Sequence, residues 1–241
     1  MTAGNQAVLD VVTAVRDGIM QGRYAPGQRL PESDLVSSCR ASRGAVRNAL
    51  AQLENEGIVV REPNRGARVR PISLEEAVEI TETRAVVEGL CAAKAAGLAT
   101  DADRRRLREL GGALRDAVDA GDVLTYSQVN QQIHRAVRDL SGHQTAGAML
   151  DRLRTQSVRY HYSVALLPGR PAVGLREHLD VIEAVCSGSP ELAEQTMRGH
   201  LLSVVDALRQ LDATLQARLS TLSPPPPPPP LSPPPPPPPQ R

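Results

Sequence analysis

The sequence predicts a mainly α-helical chain in two unequal parts: a small N-terminal unit of three helices and a β-hairpin, then an all-helical antiparallel bundle of about six helices. Three observations lead there. Apolar residues recur at helical spacing through nearly all of the chain, residues 58 to 70 alone switch to a β-rich run with a turn and a return strand, and 14 of the 21 prolines crowd into residues 223 to 239. The expected division is residues 1–72, 73–220 and a proline-rich tail at 221–241.

The first helix is carried by Val8, Val11, Val12, Val15 and Ile19 on one face, and Gly22 and Pro26-Gly27 end it. A short second helix runs from about Glu32 to Cys39. The third opens at Ser42, whose short hydroxyl suits an N-cap, and buries Val46, Ala49, Leu50 and Leu53 before Gly57 stops it. Ile58, Val59 and Val60 form a β-rich run, Pro63 to Gly66 a turn, and Ala67 to Arg70 the return strand. Three helices and a hairpin in this order make a winged helix-turn-helix.

Charge is concentrated there. Residues 40 to 70 hold seven arginines against three glutamates, a local net charge of +4 in a chain of net +1, which is a footprint for a polyanion. Arg43 and Arg47, four apart on the outward face of the third helix, can reach phosphates and guanine edges in a major groove. By themselves two such arginines are equally well read as a solvated face.

From residue 71 to 220 no strand-like alternation occurs. Ser73 with Glu76 forms a capping-box pattern, and breaks near Thr100, Gly121, Ser141-Gly142, Pro168 to Pro171 and Gly188 to Pro190 divide the segment into six helices. An antiparallel bundle follows. The proline tract cannot join a helix or a sheet ladder, and extended as polyproline II at about 3.1 Å per residue it would reach roughly 50 Å.

The 241 residues, 41% of them hydrophobic, suffice for a sizeable core, which must be built from Leu, Val, Ala and Ile because Trp and Phe are absent. Cys39, Cys91 and Cys186 are odd in number and scattered, as expected of buried free thiols in a reducing compartment. No signal peptide and no apolar run of spanning length is seen, so the expected location is the cytoplasm, at the nucleoid when DNA is bound, with no membrane partner.

Three helices of the bundle repeat one template. Asn130, Ile133, His134 and Val137 share a face, as do Leu175, His178, Leu179 and Ile182, and then Met197, His200, Leu201 and Val204. A single histidine on an apolar face is usually a satisfied core residue. Three that converge suit a divalent ion such as zinc or nickel, and spacing alone leaves both readings open. Arg84 lies on a stripe with Ile80, Val87 and Cys91 that is otherwise built for burial, so it needs an anionic partner, either an internal carboxylate or a bound one. Tyr162 is a further candidate contact, whereas His143 and His161 lack the template and are read as surface or local structural residues.

Residues 8 to 70 resemble the winged helix-turn-helix of GntR-family bacterial transcription regulators. The matching positions include Ile19, Gly22, Tyr24, Pro26, Gly27, Leu30, Glu32, Leu35, Ser42, Arg43, Val46, Arg47, Leu50, Leu53, Glu56, Gly57, Asn64, Gly66 and Val69. The resemblance implies that Ser42, Arg43 and Arg47 contact DNA from the recognition helix, with Arg65 in the hairpin, and that Gly66 lets the wing approach the minor groove. Gly44-Ala45 stands where relatives usually have Thr-Pro, and Ser33 where some have an arginine.

Asn130 to His134, then His178, then His200 resembles the metal-binding pattern of the FCD effector domain, the helical partner in one large GntR subfamily, so the resemblance extends from residue 8 to about 212. It implies a metal set of Asn130, His134, His178 and His200, a small organic-acid effector held by Arg84 and Tyr162, a homodimer, and pseudo-palindromic operator DNA as partner. The usual first ligand is an aspartate, and here it is Asn130. The expected function is a repressor, not an enzyme, whose operator affinity is set by the effector. Two alternatives stay open: a metal-dependent hydrolase using the three histidines, and a DNA-binding protein without sensing. Against the hydrolase, Glu177 beside His178 should point off its face and Glu183 lies a turn and a half away, so no general base is evident.

Overall fold

The computed structural model describes the backbone of residues 3–62 and 66–222, and the side chains of these except residues 3, 62, 159, 161, 162 and 212–222. The proline tract and Arg65 therefore lie outside the described residues, as does the Tyr162 side chain.

The N-terminal unit contains α1 (Ala3–Met20), β1 (Arg29–Leu30), α2 (Glu32–Cys39), α3 (Arg43–Asn55), β2 (Val59–Glu62) and β3 (Gly66–Val69). Its core joins Val11, Val12, Val15 and Ile19 of α1 to Val46, Leu50 and Leu53 of α3 and to Ile58, Val59 and Val69 from the hairpin. Both faces read from the sequence are thus buried against each other. The strand β1 was not anticipated. It pairs antiparallel with β3, Leu30 opposite Ala67, and makes a three-stranded sheet of order β1-β3-β2. Two residues are too few to show alternation, so only the partner strand creates this element.

Gly66 has a structural reason of its own. Its φ is +88°, and a Cβ there would lie 2.5 Å from the Leu30 carbonyl oxygen, so a side chain would push β1 off β3.

The second unit consists of α4 (Leu74–Leu98), α5 (Asp101–Asp119), α6 (Val123–Leu140), α7 (Gln144–Ala165), α8 (Arg170–Ser187) and α9 (Pro190–Leu222). These are the six helices expected among the described residues, and each expected break falls between two of them. Ser73 caps α4 by accepting from the Glu76 N–H at 3.0 Å. The Glu76 carboxylate, however, binds both terminal nitrogens of Arg70 rather than closing a capping box, because a bidentate charged pair is stronger than a bond to a neutral amide. The reciprocal box is found instead at Thr100 and Asp103, on α5. His143 caps α7 through Nδ1, the local structural role expected of it.

Helices α4 and α9 pack side by side along the bundle, and its core is built from small and branched residues such as Ala92, Ala95, Leu107, Leu114, Ile133, Val181, Ile182, Val185 and Leu201. Of the cysteines, Cys91 and Cys186 are buried and Cys39 is only half-buried; all three are free.

The two units touch through α7. Val158 packs against the winged core, and Tyr160 donates its hydroxyl to the Ile72 carbonyl of the linker at 3.1 Å. Arg152 and Gln156 both donate to the main-chain carbonyl of Glu56, the residue that ends α3.

Candidate metal centre and DNA interface

Helices α6, α8 and α9 each contribute one histidine to a single point in the bundle. His134, His178 and His200 are all at most 4% exposed, and one ligand nitrogen from each lies within 4.8 Å of the others. The ring centroids are 5.2, 5.2 and 4.3 Å apart.

Each ring is oriented from behind. His134 Nδ1 is bonded to the Glu88 carboxylate on α4, His178 Nδ1 donates to the Gly174 carbonyl at 2.6 Å, and His200 Nδ1 donates to Glu177 Oε2 at 2.9 Å. Carboxylates and carbonyls only accept, so the proton sits on Nδ1 and each Nε2 keeps a lone pair. The Nε2 atoms of His134 and His178 are 3.3 Å apart. Two nitrogens at 2.0–2.1 Å from a tetrahedral ion are separated by about 3.3 Å, and two bare lone pairs at that distance repel, so the donor set fits a divalent cation.

Electrostatics agree. Burial drives the imidazole pKa values down, to about 4 for His134 and His200 and about 3 for His178, so all three are neutral ligands near pH 7. Burial alone would raise the Glu88 carboxyl, but Arg84 and then His134 outweigh it and hold it well below the usual carboxylate range. At Glu177 burial is likewise outweighed, by hydrogen bonds from His200, Arg170 and Ser203, and its pKa falls to about 2.

Asn130, one turn before His134, is half-buried and lines a cavity together with His134 and His200. The Tyr126 hydroxyl lies over Gly174, where an added Cβ would come within 2.2 Å of it, so α6 and α8 meet at a glycine. Arg84 is 2% exposed and donates Nε to Glu88 Oε1 at 2.8 Å. Of the two partners open to Arg84, the internal carboxylate is therefore present. The guanidinium still lines the cavity.

That cavity, of about 1410 Å³, runs from His134, His200 and Arg84 to Arg16, Asp17 and Tyr24 of the winged unit. Sequence reading gave no site role to Arg154 and Arg170, which line the cavity, or to Glu88 and Glu177, which hold His134 and His200 from behind. A signal existed for Glu88, four residues after Arg84, where a helical ion pair belongs. Glu177, expected to point off the face of His178, bridges α8 to α9 through His200 and Ser203. Its partner lies 23 residues away, so no local pattern marks it. Glu183 is exposed and paired with Arg108.

On the winged unit, Ser42 Oγ accepts from the Ala45 N–H at 3.2 Å and caps α3. Its exposed side carries Arg43 and Arg47, and Arg47 is tied to Glu32 of α2 at 3.0 Å. An exposed pair of this kind contributes little and is easily exchanged for a phosphate.

Comparison with known proteins agrees with both halves. Residues 7–69 match the model of "Bacterial regulatory proteins, gntR family", and residues 79–203 match that of the FCD domain. The chain is similar to the HTH-type transcriptional repressor RspR of Escherichia coli K12, 24% identical over 197 residues, covering 82% of this chain and 86% of that one. It is 30% identical over 207 residues to the HTH-type transcriptional regulator BphR of Paraburkholderia xenovorans, covering 81% of this chain and 82% of the relative. Among solved structures it resembles E. coli McbR/YncC, with a TM-score of 0.71 at 20% identity over 84% of this chain and 98% of that one. Among the described residues no helix is long and apolar enough to cross a membrane. These matches place both halves of the chain in one class of transcription regulators: it is a member of the GntR family, of the kind that carries an FCD domain.

Proposed function

We propose that the protein is a homodimeric repressor that binds a pseudo-palindromic operator and releases it when a small organic acid occupies the histidine-lined cavity. Residues 1–72 form the DNA-binding unit, 73–220 the sensing and dimerising unit, and 221–241 a tail. The observation that carries the reading is the set of three imidazoles with Nδ1 engaged and the Nε2 lone pair left as a donor, two of which, His134 and His200, line a cavity that reaches the winged unit. His134, His178, His200 and Asn130 would hold the ion, zinc or nickel by donor type. Such an ion supplies a Lewis-acidic position for a carboxylate oxygen. Arg84 and Tyr162 are the proposed protein contacts of the acid.

Ser42, Arg43, Arg47, Arg65 and Gly66 form the proposed DNA-contacting set. A dimer follows from geometry, since helix-turn-helix units read paired half-sites about one helical turn apart. The sign of regulation is supported by the RspR relative, which is named a repressor. The cytoplasm is the compartment where such a protein meets its operator.

Metal analysis of the purified protein, with DNA-binding titrations on the region upstream of its own gene, tests the proposal. About one zinc or nickel per chain, lost in His178→Ala, and weakened DNA binding with at least one carboxylic acid are expected. Absence of stoichiometric metal together with acid-independent DNA binding would leave a DNA-binding protein without sensing.

A further inference from the structure

Arg154, on α7, is 9% exposed and lines the cavity, yet it makes no hydrogen bond or ion pair with any described residue. The other buried or half-buried arginines of the cavity are all matched: Arg84 to Glu88, Arg138 to Asp139 and Asp151, Arg170 to Glu177, Arg16 to Glu56. The carboxylates that act on Arg154 are Glu88 and, more weakly, Asp151, but Glu88 is already divided between Arg84 and the N–H of His134, and Asp151 is paired with Arg138. A buried cation without a partner is costly, and an interior that retains one has a use for it.

A second unsatisfied group lies in the same space. Ser127 Oγ is buried without a hydrogen-bond partner among the described residues, and Ser127 lines the cavity. Arg154 lines the same cavity as His134 and His200. Burial, only partly offset by Glu88, brings the Arg154 guanidinium to about 10, so it stays charged at neutral pH.

Counting charge narrows the ligand. The proposed donors Asn130, His134, His178 and His200 are all neutral, so a divalent ion there keeps its full charge, and Arg154 adds one more. An acid with a single carboxylate would leave most of this uncompensated. Building on the sensing function proposed above, we infer that the effector is a small dicarboxylate, one carboxylate at the histidine centre and the other on the Arg154 fork, with the Ser127 hydroxyl as a further donor. The planar guanidinium suits a carboxylate bidentately, which a paired arginine such as Arg170 cannot offer.

Calorimetric titration of the zinc-loaded full chain with matched acids tests this: malonate against propionate, succinate against butyrate, glutarate against valerate. At least one diacid should bind about tenfold or more tightly than its monoacid partner, and Arg154→Gln should reduce that ratio to about twofold or less while leaving the monoacid and zinc affinities unchanged. Arg154→Lys should keep part of the preference. Ligand-free Arg154→Gln should melt no lower than wild type, because it loses an uncompensated cation. Equal binding of diacids and monoacids overturns the inference and leaves carboxylate sensing intact, and a lower melting temperature in Arg154→Gln overturns it by assigning Arg154 to the support of Glu88. If none of the acids binds the zinc-loaded protein, the sensing function falls and the inference with it.

Discussion

Gln156 donates its side-chain amide to the main-chain carbonyl of Glu56 at 2.6 Å, joining the middle of α7 to the last turn of the recognition helix α3. Arg152 donates to the same oxygen at 2.7 Å, and the Glu56 carboxylate holds Arg16 of α1. The helix that presents Arg154 to the cavity therefore also grips the end of α3. These bonds give changes in the cavity a proposed route to α3, the helix proposed to contact DNA, beside the linker at Pro71 to Leu74. Removing both donors, in Arg152→Ala/Gln156→Ala, should leave metal content unchanged but uncouple acid binding from DNA affinity. DNA-binding titrations with and without acid check this, and an undiminished acid response in the double variant would assign transmission to the linker alone.

Arg43 and Arg47 stand on the exposed face of a capped helix, the position from which bidentate base contacts are made. Alanine at either should weaken specific operator binding by about 1–3 kcal/mol. Zinc content and melting temperature should not change, because neither side chain enters the core. Unaltered operator affinity in both variants would remove the assignment.

Asn130 offers only a neutral amide oxygen where an aspartate would add a charge. Asn130→Asp should raise zinc affinity about tenfold or more and lower acid affinity, since a charged ligand both binds the ion and neutralises it. Competition with a chelator measures the first effect and calorimetry the second. If neither quantity moves, Asn130 is no part of the centre.

The three histidines make stability depend on pH. Burial holds their folded pKa values at about 3 to 4, whereas in the unfolded chain an imidazole titrates near its ordinary value of about 6.5. Between those limits the unfolded state binds more protons, so stability is complete above about pH 6.5 and falls as the pH drops toward 4. The combined loss should be on the order of several kcal/mol, shared among coupled groups. Glu88 and Glu177 add their own loss only as the pH falls through the ordinary glutamate value of about 4.5, below the interval from pH 7 to pH 5. Urea unfolding of the metal-free protein at pH 7 and pH 5 checks the slope, which should flatten in His178→Leu.

Gly66→Ala tests the account of β1. The added methyl would meet the Leu30 carbonyl, and the backbone angle disfavours it, so a loss of about 1–3 kcal/mol is expected from the winged unit. Hydrogen exchange localised to residues 28–30 and 66–69 would show it; a variant as stable as wild type would mean that the sheet shifts freely there.

The sequence by itself determined the helices and their ends. Apolar spacing at 3.6 residues and the residues that break it are local signals, which is why Ser42, the six bundle helices and the inward faces of His134, His178 and His200 were legible without coordinates. It also placed Arg84 in the interior. Tertiary structure alone decided which groups meet. Glu88 behind His134, Glu177 behind His200, the strand β1, and the grip of Arg152 and Gln156 on Glu56 all join residues from different elements. The partner that gives each its role lies outside any helical or strand period, and only the packing of the helices brings the two together.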